Sequence, residues 1–338
     1  MTSIALGSLF GPSHAADVSW TGGTGDWSDG ANWGGSVPGV LDSARIENGG
    51  TAQVTDSQTV DRVFPGFNAN TTGTVTVLPG GILTSNSTTN IGQGSNSVGT
   101  LNVNGGTFIA NSTGTGIDGA VPGTANVNLT SGTLINKGIW NASRSGTWNF
   151  NFTGGNLASK QINGSAGMVI DFDGTTITPG DVGVAGRMTT ATAAINMTTN
   201  SHTQIDIGGT NVATGSVYQD PAGFYDLVFS GNSSITVGGD LEVSFIDGFA
   251  GSISNSDTFN IIQSNASGDR ILGSFDNVTF GARLNTSGGE GSFLVTLVNN
   301  QFVRLSDYQA IPEASHFALT GGLLALAALV ILRKRISH

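Results

Sequence analysis

The sequence predicts an all-β protein wound as a right-handed parallel β-helix, and three features carry that prediction. Four segments open alike, at Gly73, Gly99, Gly123 and Gly146, with starts 26, 24 and 23 residues apart. Inside each, apolar and polar residues alternate strictly, the period-two signature of a strand with one buried face. Gly, Asn, Thr and Ser dominate a chain in which 38% of residues are hydrophobic and only 10% are charged. A disordered chain carries more charge and fewer β-branched and aromatic residues.

The four segments read Gly73-Thr-Val-Thr-Val, Gly99-Thr-Leu-Asn-Val-Asn, Gly123-Thr-Ala-Asn-Val-Asn and Gly146-Thr-Trp-Asn-Phe-Asn. Aligned on their glycines, they place Val75, Leu101, Ala125 and Trp148 in one inward column and Val77, Val103, Val127 and Phe150 in the next. Outward, Thr74, Thr100, Thr124 and Thr147 form a threonine column beside an amide column of Asn102, Asn126 and Asn149. Stacking like residues lets each coil pair its backbone with the coils above and below. A second strand per coil is marked by Leu83, Phe108, Leu134 and Leu157, and a third by Ile91, Ile117, Ile139 and Ile162. A β-sandwich of hairpins also gives short alternating strands, but has no reason to hold a repeat length to within three residues. The repeats are expected to fill residues 52–180.

Ahead of them, residues 17–51 form a Trp/Gly-rich N-terminal cap. Trp20 to Asp42 reads W-x-G-G-x-G-D-W-x-D-x-x-N-W at its start and resembles the opening of β-helical exported proteins of the autotransporter-passenger type. Trp20, Trp27 and Trp33 either stack on sugars or cover the first open edge of the solenoid, as repeat arrays require. Behind the repeats, residues 181–305 stay β-rich, with Gly238 to Phe245 and Asp257 to Ile262 as clear strands. This stretch resembles the segment that follows the repeats in the same exported proteins, either as further coils or as a small sandwich. The membrane barrel of an autotransporter, built from many alternating strands, is not in the sequence.

Both ends read as targeting segments. Ile4 to Phe10 is apolar, and Ser13-His14-Ala15 presents small residues at −3 and −1 before Ala16, so residues 1–16 resemble the second half of a secretory signal cut between Ala15 and Ala16. No Lys or Arg precedes Arg45, so the basic leader of such a signal is missing; a loose N-terminus is the other reading. At the far end, Phe317 to Leu332 holds sixteen uncharged residues followed at once by Arg333, Lys334 and Arg335. As a helix it spans roughly 24 Å, just short of a hydrocarbon core. The basic trio would stop transfer and hold the cytoplasmic side. The expected tail is residues 306–338, with one transmembrane helix over 317–332.

The order Ile311-Pro312-Glu313-Ala314-Ser315, apolar helix and Arg/Lys stop resembles the PEP-CTERM sorting tail. Pro312 and Glu313 match the first two positions of that family's Pro-Glu-Pro motif, and Ala314 stands in place of the second Pro. The resemblance implies export by a Gram-negative bacterium, transit through the inner membrane and processing by an exosortase-type enzyme. The destination it implies is the cell surface or an extracellular matrix.

The net charge is −11, and Lys and Arg together number 12, three of them in the tail. Nucleic acid, whose phosphates need clustered cations, is therefore not an expected partner. With no Cys, disulfides and thiolate metal sites are excluded. His202 is the one His between the two targeting segments, and no triad pattern surrounds it. A lyase on such a scaffold needs a basic proton acceptor near bound calcium; Lys137, Arg144 and Lys160 with Asp171 and Asp173 are scattered over different coils. Asp171-x-Asp173-Gly174 has the start of a calcium loop without its later ligands. The expectation is thus a non-enzyme using no cofactor or metal: an exported structural or adhesive protein in contact with extracellular polysaccharide. The alternative is a polysaccharide lyase or hydrolase.

Overall fold

The computed structural model describes residues 16–119, 121–268 and 270–311. The described residues form an all-β solenoid of about seven turns with almost no helix. Its strands fall into three parallel ladders that run the length of the coil. The first contains Asp17–Ser19, Ser43–Ile46, Arg62–Pro65, Thr89–Ile91 and Thr115–Gly119, and continues to Arg187–Thr190, Leu227–Ser230 and Phe259–Ser264. The second contains Thr24–Asp26, Asn48–Val54, Thr72–Val77, the start of Val98–Ala110, the start of Thr124–Ala142, Thr147–Phe152 and Val169–Phe172, continuing to Ile271–Gly273. The third runs from Ser57–Val60 through Ile82–Ser85 to His202–Ile207 and Asp240–Phe245.

Parallel pairing therefore begins at Asp17, well before residue 52, and ends at Gly273, well after residue 180. The segment 17–51 is itself solenoid: residues 17–42 form the first coil, with the 3-10 turn Gly30–Trp33 in the place of its third strand, and Ser43–Ile46 stacks on Asp17–Ser19 to start the second. At the other end the order reverses. Phe302–Ala310 pairs antiparallel with Phe259–Ser264 and Gly291–Val298, and Arg283–Asn285 joins the latter. Phe259, Phe293 and Tyr308 close this end, with ring centroids 5.8 and 5.1 Å apart.

The register differs from the one predicted by aligning glycines. Gly73 pairs with Gly99, but Gly99 pairs with Ala125, and Ala125 with Trp148. The inward columns are thus Val75, Leu101, Val127 and Phe150, then Val77, Val103, Leu129 and Phe152. A two-residue slip keeps every side chain on its own face, so alternation cannot detect it. Close backbone approach decides it. A Cβ on Gly99 would lie 2.2 Å from the Gly92 nitrogen and 2.3 Å from the Pro65 oxygen. At Ala125 and Trp148 the same corner holds a side chain.

The second strand agrees with its prediction: Leu83, Phe108, Leu134 and Leu157 stack in order. The third differs. Ile117 stacks on Trp140, which stacks on Ile162, while Ile139 pairs with Gln161 and is only half-buried. Ile91 sits opposite Gly119. Each fully buried aliphatic side chain in these columns contributes about 1.5–3 kcal/mol. At the fourth position of the two inward columns the core turns aromatic, with Phe152 stacked on Phe172 at 5.4 Å and Trp140 edge-on to Phe150 at 5.3 Å, before aliphatic residues return at Ile170 and Ile195. Larger rings span more of the interior, and the coil shortens in step: Leu134 to Leu157 is 23 residues, against 26 from Phe108 to Leu134.

Among the described residues no helix is long and apolar enough to cross a membrane. The segment 317–332, the sorting residues Pro312, Glu313 and Ala314, the basic trio Arg333, Lys334 and Arg335, and Ala15 lie outside the described residues.

Candidate functional site

The outward side of the second ladder carries the most regular polar chemistry in the molecule. Because the register is shifted, its columns mix hydroxyls and amides instead of separating them. One column runs Thr74, Thr100, Asn126, Asn149, and its neighbour runs Thr76, Asn102, Asn128, Asn151. Asn102 Nδ2 donates to Thr76 Oγ1 at 3.1 Å and Asn128 Nδ2 to Asn102 Oδ1 at 2.7 Å. In the adjacent column Asn126 donates to Thr100 at 3.3 Å and Asn149 to Asn126 at 2.8 Å. Stacked coils place successive members of a column roughly 4.8 Å apart.

The strand Val98–Ala110 bends from the second ladder into the third through a register irregularity between Val103 and Thr107. Gly132 turns the next coil at the same corner with φ +82°, a conformation that favours glycine. The bend turns Asn104 outward, where its Oδ1 accepts from the hydroxyls of Ser131 at 3.2 Å and Thr130 at 3.4 Å. Thr76, Asn102, Asn104, Asn128, Thr130 and Asn151 together line an open groove of about 330 Å³. Of these six only Asn102 was placed in a predicted outward column; Thr76, Asn104, Asn128, Thr130 and Asn151 were not singled out by the sequence, although the G-G pair following Asn104 marked a turn there.

Charge is sparse along this face. Between Arg62 and Lys137 the sequence holds one charged side chain, Asp118, and Arg144 neutralises it at 2.8 Å. Further along the ladder Asp171 and Asp173 face outward, but their oxygens accept from Asn196 at 2.6 Å and from Thr198 and Asn200 at 2.7 and 2.8 Å. The Asn200 and Thr198 bonds hold the Asp173 carboxyl below its ordinary range.

The basic residues weighed for lyase chemistry do not converge on these carboxylates. Lys137 and Lys160 lie on successive coils at the corner between the third and first ladders, and Lys160 donates to the Ser216 oxygen at 3.0 Å. Arg144 is engaged with Asp118. His202 lies on the third ladder with its Nδ1 4.0 Å from Asp240, both half-exposed. No group of three or more His, Asp or Glu among the described residues is placed to hold a metal.

The three N-terminal tryptophans correct the sugar-stacking expectation. Trp20, Trp27 and Trp33 are 2%, 0% and 4% exposed, so no ring face is open to a ligand. Trp33 packs edge-on against both Trp20 and Trp27 at 4.9 and 4.8 Å, and its Nε1 donates to the Trp27 oxygen at 2.7 Å. Fully burying such rings removes roughly 150–250 Å² each from water, which sets their place at the interior end of the first coil.

A second polar cluster is sealed in the interior. Asp226 is fully buried; its oxygens accept from the Gly186 nitrogen at 2.6 Å and the Asp206 nitrogen at 2.8 Å. Asp206 accepts from Gly183 at 2.6 Å. Burial pushes the Asp226 carboxyl well above its ordinary range, and neighbouring Asp206 and Asp220 push it the same way, against the two backbone donors. Burial likewise raises Asp206 and the Tyr218 phenol. The two carboxylates tie the excursions 181–186 and 208–226 to the coil, and none of the three groups reaches solvent enough to meet a substrate.

The comparisons with known protein families, with characterised proteins and with solved structures found no match for this chain. The residues and their geometry alone define its class: a β-solenoid presenting an uncharged amide and hydroxyl face.

Proposed function

We propose that this chain is an exported structural or adhesive protein of a Gram-negative cell surface or extracellular matrix, wound right-handedly and delivered by a PEP-CTERM-like sorting tail. One observation carries the adhesive part: the ladder of Thr76, Asn102, Asn128 and Asn151, held in register by hydrogen bonds, presents repeated weak-contact groups on a rigid rod. Parallel strands of one sheet cross over right-handedly, which supports the handedness. Export is supported by the small-residue cleavage pattern ending at Ala15 and by the tail. There Pro312 and Glu313 mark the processing site for an exosortase-type enzyme. The helix 317–332 is the transit handle and Arg333, Lys334 and Arg335 the stop. The partners are that enzyme, the membrane during transit, and extracellular polysaccharide afterwards.

Replacing Pro312 and Glu313 by Ala in the native host should leave a larger, cell-retained form on immunoblots. A mature form of unchanged size and release would sink the sorting reading. Polysaccharide incubated with the purified protein should be retained without turnover, and new unsaturated or reducing sugar ends would show an enzyme instead.

A further inference from the structure

We infer that the groove lined by Thr76, Asn102, Asn104, Asn128, Thr130 and Asn151 binds a neutral polyhydroxylated polymer, a glycan chain without ionised groups. This rests on the adhesive reading above and narrows its ligand. The chemistry of the lining is the first reason. Every lining side chain is an amide or a hydroxyl, able both to donate and to accept, which is what a sugar hydroxyl offers in return. An amide carries two N–H groups and a carbonyl with two lone pairs, and the ladder uses only part of that capacity: Asn128 donates once to Asn102, and Asn102 once to Thr76.

Charge is the second reason. A polyuronate or sulfated chain needs cations to offset its own charge, yet none occurs between Arg62 and Lys137, and the whole protein carries −11. A neutral chain meets no such repulsion. The third reason is rigidity. Thr76, Asn102 and Asn128 sit on backbone fixed by parallel pairing on both sides, and the ladder bonds Asn102 to Thr76 and Asn128 to Asn102 already hold their side chains, so less freedom remains to be lost on binding. No ring is exposed in the groove for stacking, so single contacts are weak, and a polymer engaging several coils or several rods gains by effective concentration.

The test is retention of the full chain, in affinity electrophoresis, by a neutral glucan and by a polyuronate. Expected are retention by the glucan that added salt does not weaken and none by the polyuronate. The variant Asn104→Ala with Asn151→Ala, both exposed positions, should lower apparent glucan affinity about tenfold, the effect of losing one or two hydrogen bonds. Should that pair melt early, Asn151→Asp alone serves as the second variant. Salt-sensitive retention by the polyuronate alone would overturn the neutral-ligand inference and leave the adhesive reading standing. No retention by any polysaccharide would remove both. Glucan retention unchanged in the variants would move the site elsewhere. Self-association weakened by these variants, without glucan binding, would make the face a contact between copies of the chain.

Discussion

The backbone N–H of Ala16 donates to Oδ1 of Asp42 at 3.0 Å, and Oδ2 of the same carboxylate accepts from the Gly39 nitrogen at 2.8 Å. The Ala16 oxygen in turn accepts from Ser43, so the residue is tied into the first ladder from both sides. Cleavage after Ala15 would convert this amide into an α-ammonium already facing a carboxylate, strengthening the hydrogen bond by charge. The site is exposed, so the gain is at most about 1 kcal/mol. N-terminal sequencing of exported protein should read Ala16 first. Asp42→Asn should lower the melting temperature of the processed form by no more than about 2–4 °C, and that of an unprocessed form by less. Equal losses in both forms would deny the ammonium a role.

Register can be tested inside the third strand. Trp140 is fully buried between Ile117 and Ile162, whereas Ile139 next to it is half-buried on the outer side. Trp140→Ala should destabilise by about 3–5 kcal/mol, and Ile139→Ala by clearly less. Coils contact only their neighbours, so hydrogen exchange should accelerate most around residues 115–119 and 161–164. Similar costs for the two variants would contradict the observed register.

The corner glycine gives a second register test. Gly99→Ala must push backbone at Gly92 or Pro65 and should cost about 1–3 kcal/mol by overpacking. Ala125→Gly, one coil on in the same column, removes only a buried methyl and some backbone restriction, about 1–2 kcal/mol. Denaturant titration distinguishes them further: Gly99→Ala should shift the midpoint even when paired with Ala125→Gly, because the nearest atoms its Cβ would meet belong to Gly92, Pro65 and Ile91 and not to its cross-strand partner Ala125.

The sealed carboxylates make stability depend on pH. The folded Asp226 carboxyl is raised by burial, so its contribution is fully present below about pH 4, the unfolded value, and is lost as pH rises through the raised folded value. Asp206 acts in the same direction. Asp26 acts oppositely: bonds from the Ser28 hydroxyl, the Ser28 backbone and Thr55 lower it, so its contribution is lost as pH falls through that lowered value. Asp226→Asn, which sacrifices one backbone hydrogen bond, should be less stable at low pH, yet its melting temperature should fall less steeply than wild type as pH rises above about 4. A steeper fall in the variant would reverse the assignment.

Much of the candidate site was legible as composition and little of it as geometry. The Asn and Thr residues of the outer face were visible because alternation assigns them to the surface wherever the strand lies. Which amide meets which hydroxyl was not, since Asn128 stacks on Asn102 only after the two-residue slip. The groove depends on Asn104 and Thr130, brought together where the strand bends, and a bend leaves no periodic trace. Trp20, Trp27 and Trp33 carried the opposite difficulty: three aromatics in a short run suit a sugar platform and a buried plug equally until burial is known.

The sequence by itself determined the all-β class, the parallel winding, the inward and outward faces, and the stack of Leu83, Phe108, Leu134 and Leu157. Those follow from period and repeat length, which are local properties of the chain. The tertiary structure decided the register between the glycine-led strands, the extent of the coil from Asp17 to Gly273, and the antiparallel closure by Phe302–Ala310. Each of these turns on which backbone atoms can approach without collision, as at Gly99, and that is a relation between coils some 25 residues apart.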